Sequence, residues 1–454
     1  MTTEYKPVIE RVAGTLEMAG MQPVDMGLDD PFIQDLLEKS SESRKMVITA
    51  MNKDPGIRRM SIANFACMAD YYKILRDARQ NGQKVVWVPF TFAPEILWAM
   101  DLVPVTVESM STLAQTLPEG PEVYIDLCHE RGLPETLCSS HKGAIGMLEA
   151  GVVEKPDLLI SAALGSCDPN SVAFEYIAKK WDIPTLYLDI PYHNDARSLE
   201  YFTKGYKKMI AALEEMTGHK LDQDRLREAV ELANQANEID NEINILKRHI
   251  PNPVPNYYTG YHLGIRLSHL GTQRAVDFMK VALEVCKERF NEGKSVAPEE
   301  KVRYMNMYTN LYTDVTLQPW FQEVIGVTYL TDFLDWYGYS PYIDTSSYDK
   351  MIEGLAEELF KVPMSRQMKT GWDEPGGWGP DMLHYVDIFK PDCLVFTGHV
   401  ACKHAWGSYR LVADFMKKET GLPCLRLEAD GWDPRITPMS VVREQLLDFF
   451  ETLN

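Results

Sequence analysis

KVVWVPFTFAPEILWAMDLVPVTVE, residues 84–108, is the stretch on which the fold turns. KVVWVPF is a short apolar run rich in β-branched and aromatic residues, APEILWAMD carries helical spacing, and LVPVTVE is a second strand-like run. That is the rhythm of a strand–helix–strand unit. It continues through HKGAIGMLEAG (141–151, helix), KPDLLISAAL (155–164, strand), SVAFEYIAKKWD (171–182, helix) and PTLYLDIPY (184–192, strand). Elements alternating in this way imply a parallel sheet covered by helices.

Outward from this core the period changes. Residues 1–80 read as helical: PFIQDLLEKS and IANFACMADYYKILRDARQNG repeat apolar positions at three and four, the second run stopping at Gly82. Residues 203–300 are again helical, with Asp222 placed to cap a run in which Leu226, Val230 and Ala233 share a face. PNPVPNYYTG (251–260) breaks that run, and GTQRAVDFMKVALEVCKERFNEG resumes it. Alternation returns at KVRYMNMYT (301–309), GVTYLTD (326–332), PDCLVFTG (391–398) and PCLRLEAD (423–430), with a helix from the Trp406 region to Lys418. The expected fold is α/β. It comprises two doubly wound parallel-sheet (Rossmann/flavodoxin-like) domains, 81–202 and 301–454, a helical N-terminal region (1–80) and a helical connector (203–300), with the default site in the cleft between the halves.

Composition narrows the function. The 454 residues are 45% hydrophobic and 25% charged, an ordinary globular balance. Lys plus Arg number 46 against 66 Asp plus Glu, and the resulting charge of −20 opposes nucleic acid as a partner. No apolar run approaches the roughly 18–20 residues of a membrane span. MTTEYKPVIERVAG has no basic n-region and no apolar h-region, so the expectation is a cytoplasmic protein without a membrane partner.

In an open parallel sheet, ligands bind beyond the carboxyl ends of the strands. Cys167 after DLLISAALGS and Cys402 after CLVFTGHVA stand in such places, Cys138 in LCSSHKGAIG sits at a loop-to-helix junction, and all three of these, out of eight cysteines, are at helix starts. A helix N-terminus stabilises a thiolate, the form that binds iron or attacks an electrophile. Cys67 and Cys286 lie within amphipathic helical runs, Cys393 within a strand and Cys424 at a strand's start, all as small buried apolar groups. Cys128 has only His129 beside it. His141 and His404 each lie within three residues of one of the three cysteines and are placed for proton transfer, whereas His219, His249 and His269 read as ordinary core or surface residues.

Other motifs fall away. GKS (293–295) lacks the first glycine of a phosphate loop because position 288 is Glu288, so the chain is not expected to hydrolyse ATP itself. GWDEPGGWGP (371–380) follows no strand and reads as a loop, with a substrate-covering flap carrying Trp372 and Trp378 as the alternative. No GxSxG or HExxH occurs.

At CSSHKGAIG, GSCDPN, GHVACKHAWG and the ending LPCLRLEADGWDPRITPMSVVREQLLDFFE, the chain resembles subunits of the 2-hydroxyacyl-CoA dehydratase and benzoyl-CoA reductase family, from about Lys84 onward. The resemblance implies a 4Fe-4S cluster, or a larger fused one, held by Cys138, Cys167 and Cys402 in the cleft. Three thiolates fall one short of the usual four, which leaves one iron open. It also implies an acyl-CoA thioester substrate, a homologous second cluster-bearing subunit, a separate ATP-hydrolysing iron-sulfur activator and a ferredoxin-type electron donor. In the dehydratase branch a ketyl radical expels the 2-hydroxyl and the electron returns. In the reductase branch an aromatic ring is reduced to a cyclic dienoyl-CoA. CDPNSVAFEYIAKKWDIPTLYLDIPYHNDARSLEY and the long helical N-terminal region look more like the larger benzoyl-CoA reductase subunit, and His404 is taken as the catalytic acid or base. A non-catalytic iron-sulfur or structural-metal protein is the reading from another class. Lys142, Lys403 or helix N-termini are the groups expected to meet CoA phosphates.

Overall fold

The computed structural model describes residues 8–115, 117, 120–162, 167–311, 314–335, 342–367, 369, 371–375 and 377–453. Eight strands form two sheets: β1 (Lys84–Val88), β2 (Leu102–Thr106), β3 (Leu158–Ser161) and β4 (Thr185–Tyr187) in one, β5 (Val302–Asn306), β6 (Val327–Tyr329), β7 (Cys393–His399) and β8 (Cys424–Ala429) in the other. Every pairing is parallel, and the orders β2-β1-β3-β4 and β6-β5-β7-β8 are the same topology twice. Each order reverses direction at its inner pair, β1/β3 and β5/β7, which opens a crevice at the carboxyl ends there. The α/β expectation with two doubly wound halves is met.

The inner strands are buried and largely apolar because helices cover both faces. All residues of the inner strands β5 and β7 are buried, as are the five of edge strand β2, while edge strand β8 is largely open. On one face of the first sheet, Val86, Val88 and Ile160 pack against Phe202, Tyr206 and Leu213 of helix Ala196–Thr217. Helix Tyr348–Lys361, which lies between β6 and β7 in the chain, adds Met351, Ile352, Leu355 and Leu359 to this same core. A segment of the second half therefore straps the first. The opposite face carries Met110, Tyr124, Ile145 and Phe174 from the helices around and after β2 and β3.

The helical regions follow their caps. Asp30, Ser41 and Asp54 accept backbone N–H groups at the starts of helices Pro31–Glu38, Glu42–Asn52 and Pro55–Asp77. The last of these ends before Gly82, which at φ 77° sits in the turn feeding β1. Asp222 Oδ1 accepts from Asp224 N and Arg225 N, both at 2.9 Å, and Leu226, Val230 and Ala233 are buried as their spacing requires. PNPVPNYYTG separates helix Gln223–Leu246 from helix Tyr258–His269.

Neither tryptophan of GWDEPGGWGP lines the cleft. Trp378 starts helix Trp378–Phe389, is 1% exposed and donates its indole N–H to Met307 O at 3.2 Å, while Trp372 packs edge-on to Phe415. Two tryptophans are too much apolar surface to leave over a cleft when a core can bury them. Gly293 (φ 66°) of GKS lies just beyond the end of helix Gln273–Asn291. Among the described residues, no helix is long and apolar enough to cross a membrane.

Candidate functional site

The carboxyl ends of both sheets line one central cavity. Phe90 follows β1, Glu108 follows β2, Cys167 follows β3, Tyr308 and Thr309 follow β5, Cys402 follows β7 and Trp432 follows β8; Cys138, His141 and His404 complete this wall. Leu263 and Leu267 close it from helix Tyr258–His269. Its free space is about 90 Å³ counted at the centres of water-sized spheres, several times the roughly 10–15 Å³ that one water needs.

The three cysteines converge here from distant parts of the chain. Each is the N-cap residue of its helix, Ser139–Glu149, Asp168–Trp181 and Lys403–Thr420, and none uses its side chain as a cap. Backbone N–H groups of Ser140 and His141 favour a Cys138 thiolate, that of Asn170 a Cys167 thiolate, and those of Ala405 and His404 a Cys402 thiolate. The helix-start argument has the right direction, yet burial outweighs it. Burial, then repulsion by Asp430, pushes the Cys138 thiol up to about 12. Cys167 is driven well above its ordinary range by burial, then by Cys138, Glu108 and Cys402, and Cys402 is raised by burial. Without a cation beside them these thiols keep their protons at neutral pH, whereas a bound metal cation would reverse that balance.

Among the described residues, no three His, Cys, Asp or Glu side chains converge closely enough to hold a single metal ion. A multi-iron group sets a different requirement, because each thiolate binds its own iron and the sulfurs stand around the group. Three soft donors, each met by helix amides and mutually close enough to repel when charged, fit that requirement. Tyr308 adds a hydroxyl 3.0 Å from Cys402 Sγ.

Proton-handling groups occupy the same wall. Glu108 Oε2 accepts from Phe90 N at 3.1 Å, and its Oε1 lies 3.5 Å from His141 Nε2. His141 Nε2 also lies 3.3 Å from Asn170 Nδ2. Burial pushes the Glu108 carboxyl up to about 8 and pulls the His141 imidazole down to about 4, so both are neutral near pH 7 and their contact is not an ion pair. His399 Nδ1 accepts from Gly431 N at 2.8 Å, which leaves Nε2–H to donate to Thr309 Oγ1 at 2.6 Å. Gly431 is required there, since a Cβ would stand 2.2 Å from His399 Cε1. Asp430 accepts from Ser139 Oγ, from Trp432 N and from Asp433 N, tying the residue beside Cys138 to the second sheet. His404 lines the cavity with its Nε2 3.7 Å from Asp168 Oδ1.

Glu108, Tyr308, His399 and Asp430 also line or border the cavity and do not belong to the cysteine pattern. All four stand at the carboxyl ends of expected strands, which is the signal that finds them. Lys142 is not available to a phosphate: it is 5% exposed, with Nζ 3.2 Å from His129 Nε2 and 3.1 Å from Glu135 O. Cys128 is buried, its thiol 2.9 Å from Lys142 O.

The family described as 2-hydroxyglutaryl-CoA dehydratase, D-component, matches residues 89–453. The chain belongs to that family. Within it, a benzoyl-CoA reductase subunit of Thauera aromatica is 24% identical over 421 residues, covering 85% of this chain and 93% of the relative. The alpha subunit of (R)-phenyllactyl-CoA dehydratase of Clostridium sporogenes is 23% identical over 371 residues, 79% of this chain and 87% of the relative. The alpha subunit of (R)-2-hydroxyglutaryl-CoA dehydratase of Acidaminococcus fermentans is 23% identical over 280 residues, 59% and 54% of the two chains. These family relatives are enzyme subunits.

Proposed function

We propose that this chain is the iron-sulfur subunit of a benzoyl-CoA reductase-type enzyme, in which an aromatic acyl-CoA thioester takes up low-potential electrons and protons to give a cyclic dienoyl-CoA. The observation that carries it is the convergence of Cys138, Cys167 and Cys402, three N-caps from two sheets, on one cavity with a largely apolar wall. The near end-to-end match to the Thauera aromatica reductase chain supports the reductase branch.

When bound, a 4Fe-4S cluster or a larger fused one supplies single electrons at low potential. Cys138, Cys167 and Cys402 hold it, and Tyr308 donates a hydrogen bond to the Cys402 sulfur. Phe90, Leu263, Leu267, Leu334 and Met364 offer an apolar surface for an aromatic acyl group and keep water from it. Glu108, neutral near pH 7, donates a proton from its carboxyl O–H to the reduced acyl group, with His141 within reach of the carboxylate left behind. His404 is the second candidate for that proton transfer. ATP hydrolysis belongs to a separate activator fed by a ferredoxin-type donor, and a homologous subunit completes the enzyme.

The specific alternative is a (R)-2-hydroxyacyl-CoA dehydratase. Two relatives bear such names, and a neutral Glu108 could equally protonate a departing 2-hydroxyl. The test begins with iron, acid-labile sulfide and the electron paramagnetic resonance spectrum of chain purified without oxygen, beside Cys167→Ala. Iron lost in the variant supports the centre; no iron in either sinks it. Turnover of benzoyl-CoA against a 2-hydroxyacyl-CoA, with activator and reductant, then separates the two branches.

A further inference from the structure

The loop after β5 brings to the central cavity a hydroxyl whose hydrogen is left over. Thr309, 2% exposed, stands in the cavity wall beside His399. The contact between the two has one direction. Gly431 N–H donates to His399 Nδ1 at 2.8 Å, so that nitrogen carries no hydrogen and the ring's single N–H is on Nε2. His399 Nε2–H therefore donates to Thr309 Oγ1 at 2.6 Å. A threonine hydroxyl that accepts still has its own hydrogen to give. Among the described residues, the bond from His399 is the one that Thr309 Oγ1 makes.

The loop that carries this donor is pinned. Thr397 Oγ1 donates to Thr309 O and accepts from Asn306 Nδ2 at 2.8 Å, while Asn306 Oδ1 accepts from Tyr308 N at 3.0 Å. The series Gly431, His399, Thr309 thus runs from the turn after β8 through the last residue of β7 to the loop after β5, and it ends at the cavity. Buried donors in folded proteins are paired, and one kept unpaired at a cavity wall is a place for an acceptor on a ligand. Tyr308, the preceding residue, has its hydroxyl 3.0 Å from Cys402 Sγ, so the donor stands beside one of the three converging cysteines.

We propose that Thr309 donates its hydroxyl hydrogen to the carbonyl oxygen of the bound acyl thioester and holds that oxygen as negative charge develops on it. The inference rests on the function proposed above but on neither of its branches, since benzoyl and 2-hydroxyacyl thioesters both carry that carbonyl. An electron entering a thioester raises the charge on the carbonyl oxygen, so a donor fixed there favours the reduced state over the ground state. His399 acts through Thr309, occupying a lone pair of the hydroxyl and polarising its O–H. No bond to hydrogen breaks at Thr309 and no electron moves there. Gln367 Oε1, in the same wall and also without a partner, can only accept and so cannot serve a carbonyl.

The test is infrared spectroscopy of the anaerobically purified chain, without activator, mixed with benzoyl-CoA and then with (R)-phenyllactyl-CoA, each with a heavy-carbon label at the thioester carbonyl. In wild type and in Thr309→Ser the bound carbonyl band is expected below that of the free thioester. In Thr309→Val it is expected to return to the free position, with Kd raised about two- to tenfold. With activator and reductant, Thr309→Val is expected to lose roughly 100-fold or more in kcat at unchanged iron content. Thr309→Val combined with His399→Leu removes both ends of the contact and takes the place of the single variant should that one not fold. The proposal is overturned if the wild-type band is unshifted, or if the shift survives the loss of the Thr309 hydroxyl, which would assign the donor to another wall group such as Ser140. Binding without a shift removes this role of Thr309 and leaves the proposed function standing; binding of neither thioester removes both.

Discussion

Lys403 Nζ lies 3.1 Å from Asp168 Oδ2, so the residue after Cys402 is joined to the residue after Cys167 across the seam between the two sheets. His404 Nε2 stands 3.7 Å from the other Asp168 oxygen. Two of the three cysteine-bearing helices thus have their N-termini side by side. The pair is open to solvent, its side chains 68% and 40% exposed, and water screens it. Its coupling in a double-mutant cycle of Asp168→Asn and Lys403→Gln is expected below about 1 kcal/mol in urea melts and to shrink with added salt. A coupling above about 2 kcal/mol would mean that this contact, and not apolar packing, holds the seam.

Tyr308→Phe tests the hydroxyl at the Cys402 sulfur. The ring is buried among Phe333, Trp378 and Phe396, so the variant keeps its packing and loses only the hydrogen bond. Hydrogen bonds to sulfur ligands tune the potential of an iron-sulfur centre by stabilising its more negative, reduced form. The expected outcome is unchanged iron content with a lower reduction potential in a redox titration followed by electron paramagnetic resonance. Equal potentials would detach Tyr308 from the centre.

Much of this architecture is legible in the sequence. All eight strands fall within short, largely apolar runs, from KVVWVPF to PCLRLEAD, as expected where helices cover both faces of a parallel sheet. Cys167 and Cys402 follow from the rule about carboxyl ends, and Cys138 from its place at a helix start. The thiols' protonation does not, since it depends on how deeply three helices bury them, and burial is a property of packing. Trp378 misleads as a possible flap because GWDEPGGWGP reads as loop, while Gly377 and the next helix turn that indole into the core. Glu108 hides behind its neighbours: a lone acid ending an apolar strand looks like surface until the cavity wall closes around it.

Glu108 also makes a prediction about pH. Its carboxyl stays protonated up to about pH 8 in the folded chain, while in the unfolded chain it ionises at its ordinary value of 4.5. Between those values the folded state binds more protons, so this group's stabilisation, complete below the lower value, is lost as pH rises towards the upper one. The slope is at most about 1.4 kcal/mol per pH unit. Glu108→Gln carries no proton to lose. Urea melts of iron-free protein from pH 5 to 8 are expected to show the variant's stability gaining on wild type as pH rises; parallel curves would mean that Glu108 ionises normally.

The buried pair Lys247–Asp335 makes the largest stability prediction. Lys247 Nζ lies 2.6 Å from Asp335 Oδ2 with both side chains at most 2% exposed. Asp335 Oδ1 faces His262 Nδ1 at 3.2 Å, and His262 Nε2 lies 3.5 Å from Asp240, which accepts from Tyr258 Oη at 2.7 Å and Asn244 Nδ2 at 2.9 Å. This chain of contacts joins the connector helices Gln223–Leu246 and Tyr258–His269 to the segment after β6. Lys247→Met keeps the aliphatic stem but leaves a carboxylate without its cation in a dry core. The expected loss is about 3–5 kcal/mol in urea melts, most of it recovered when Asp335→Leu is added, because the cost lies in the stranded charge and not in the missing pair. If the double variant is no more stable than Lys247→Met, the network itself, rather than the compensation of Asp335, is what holds the connector to the second sheet.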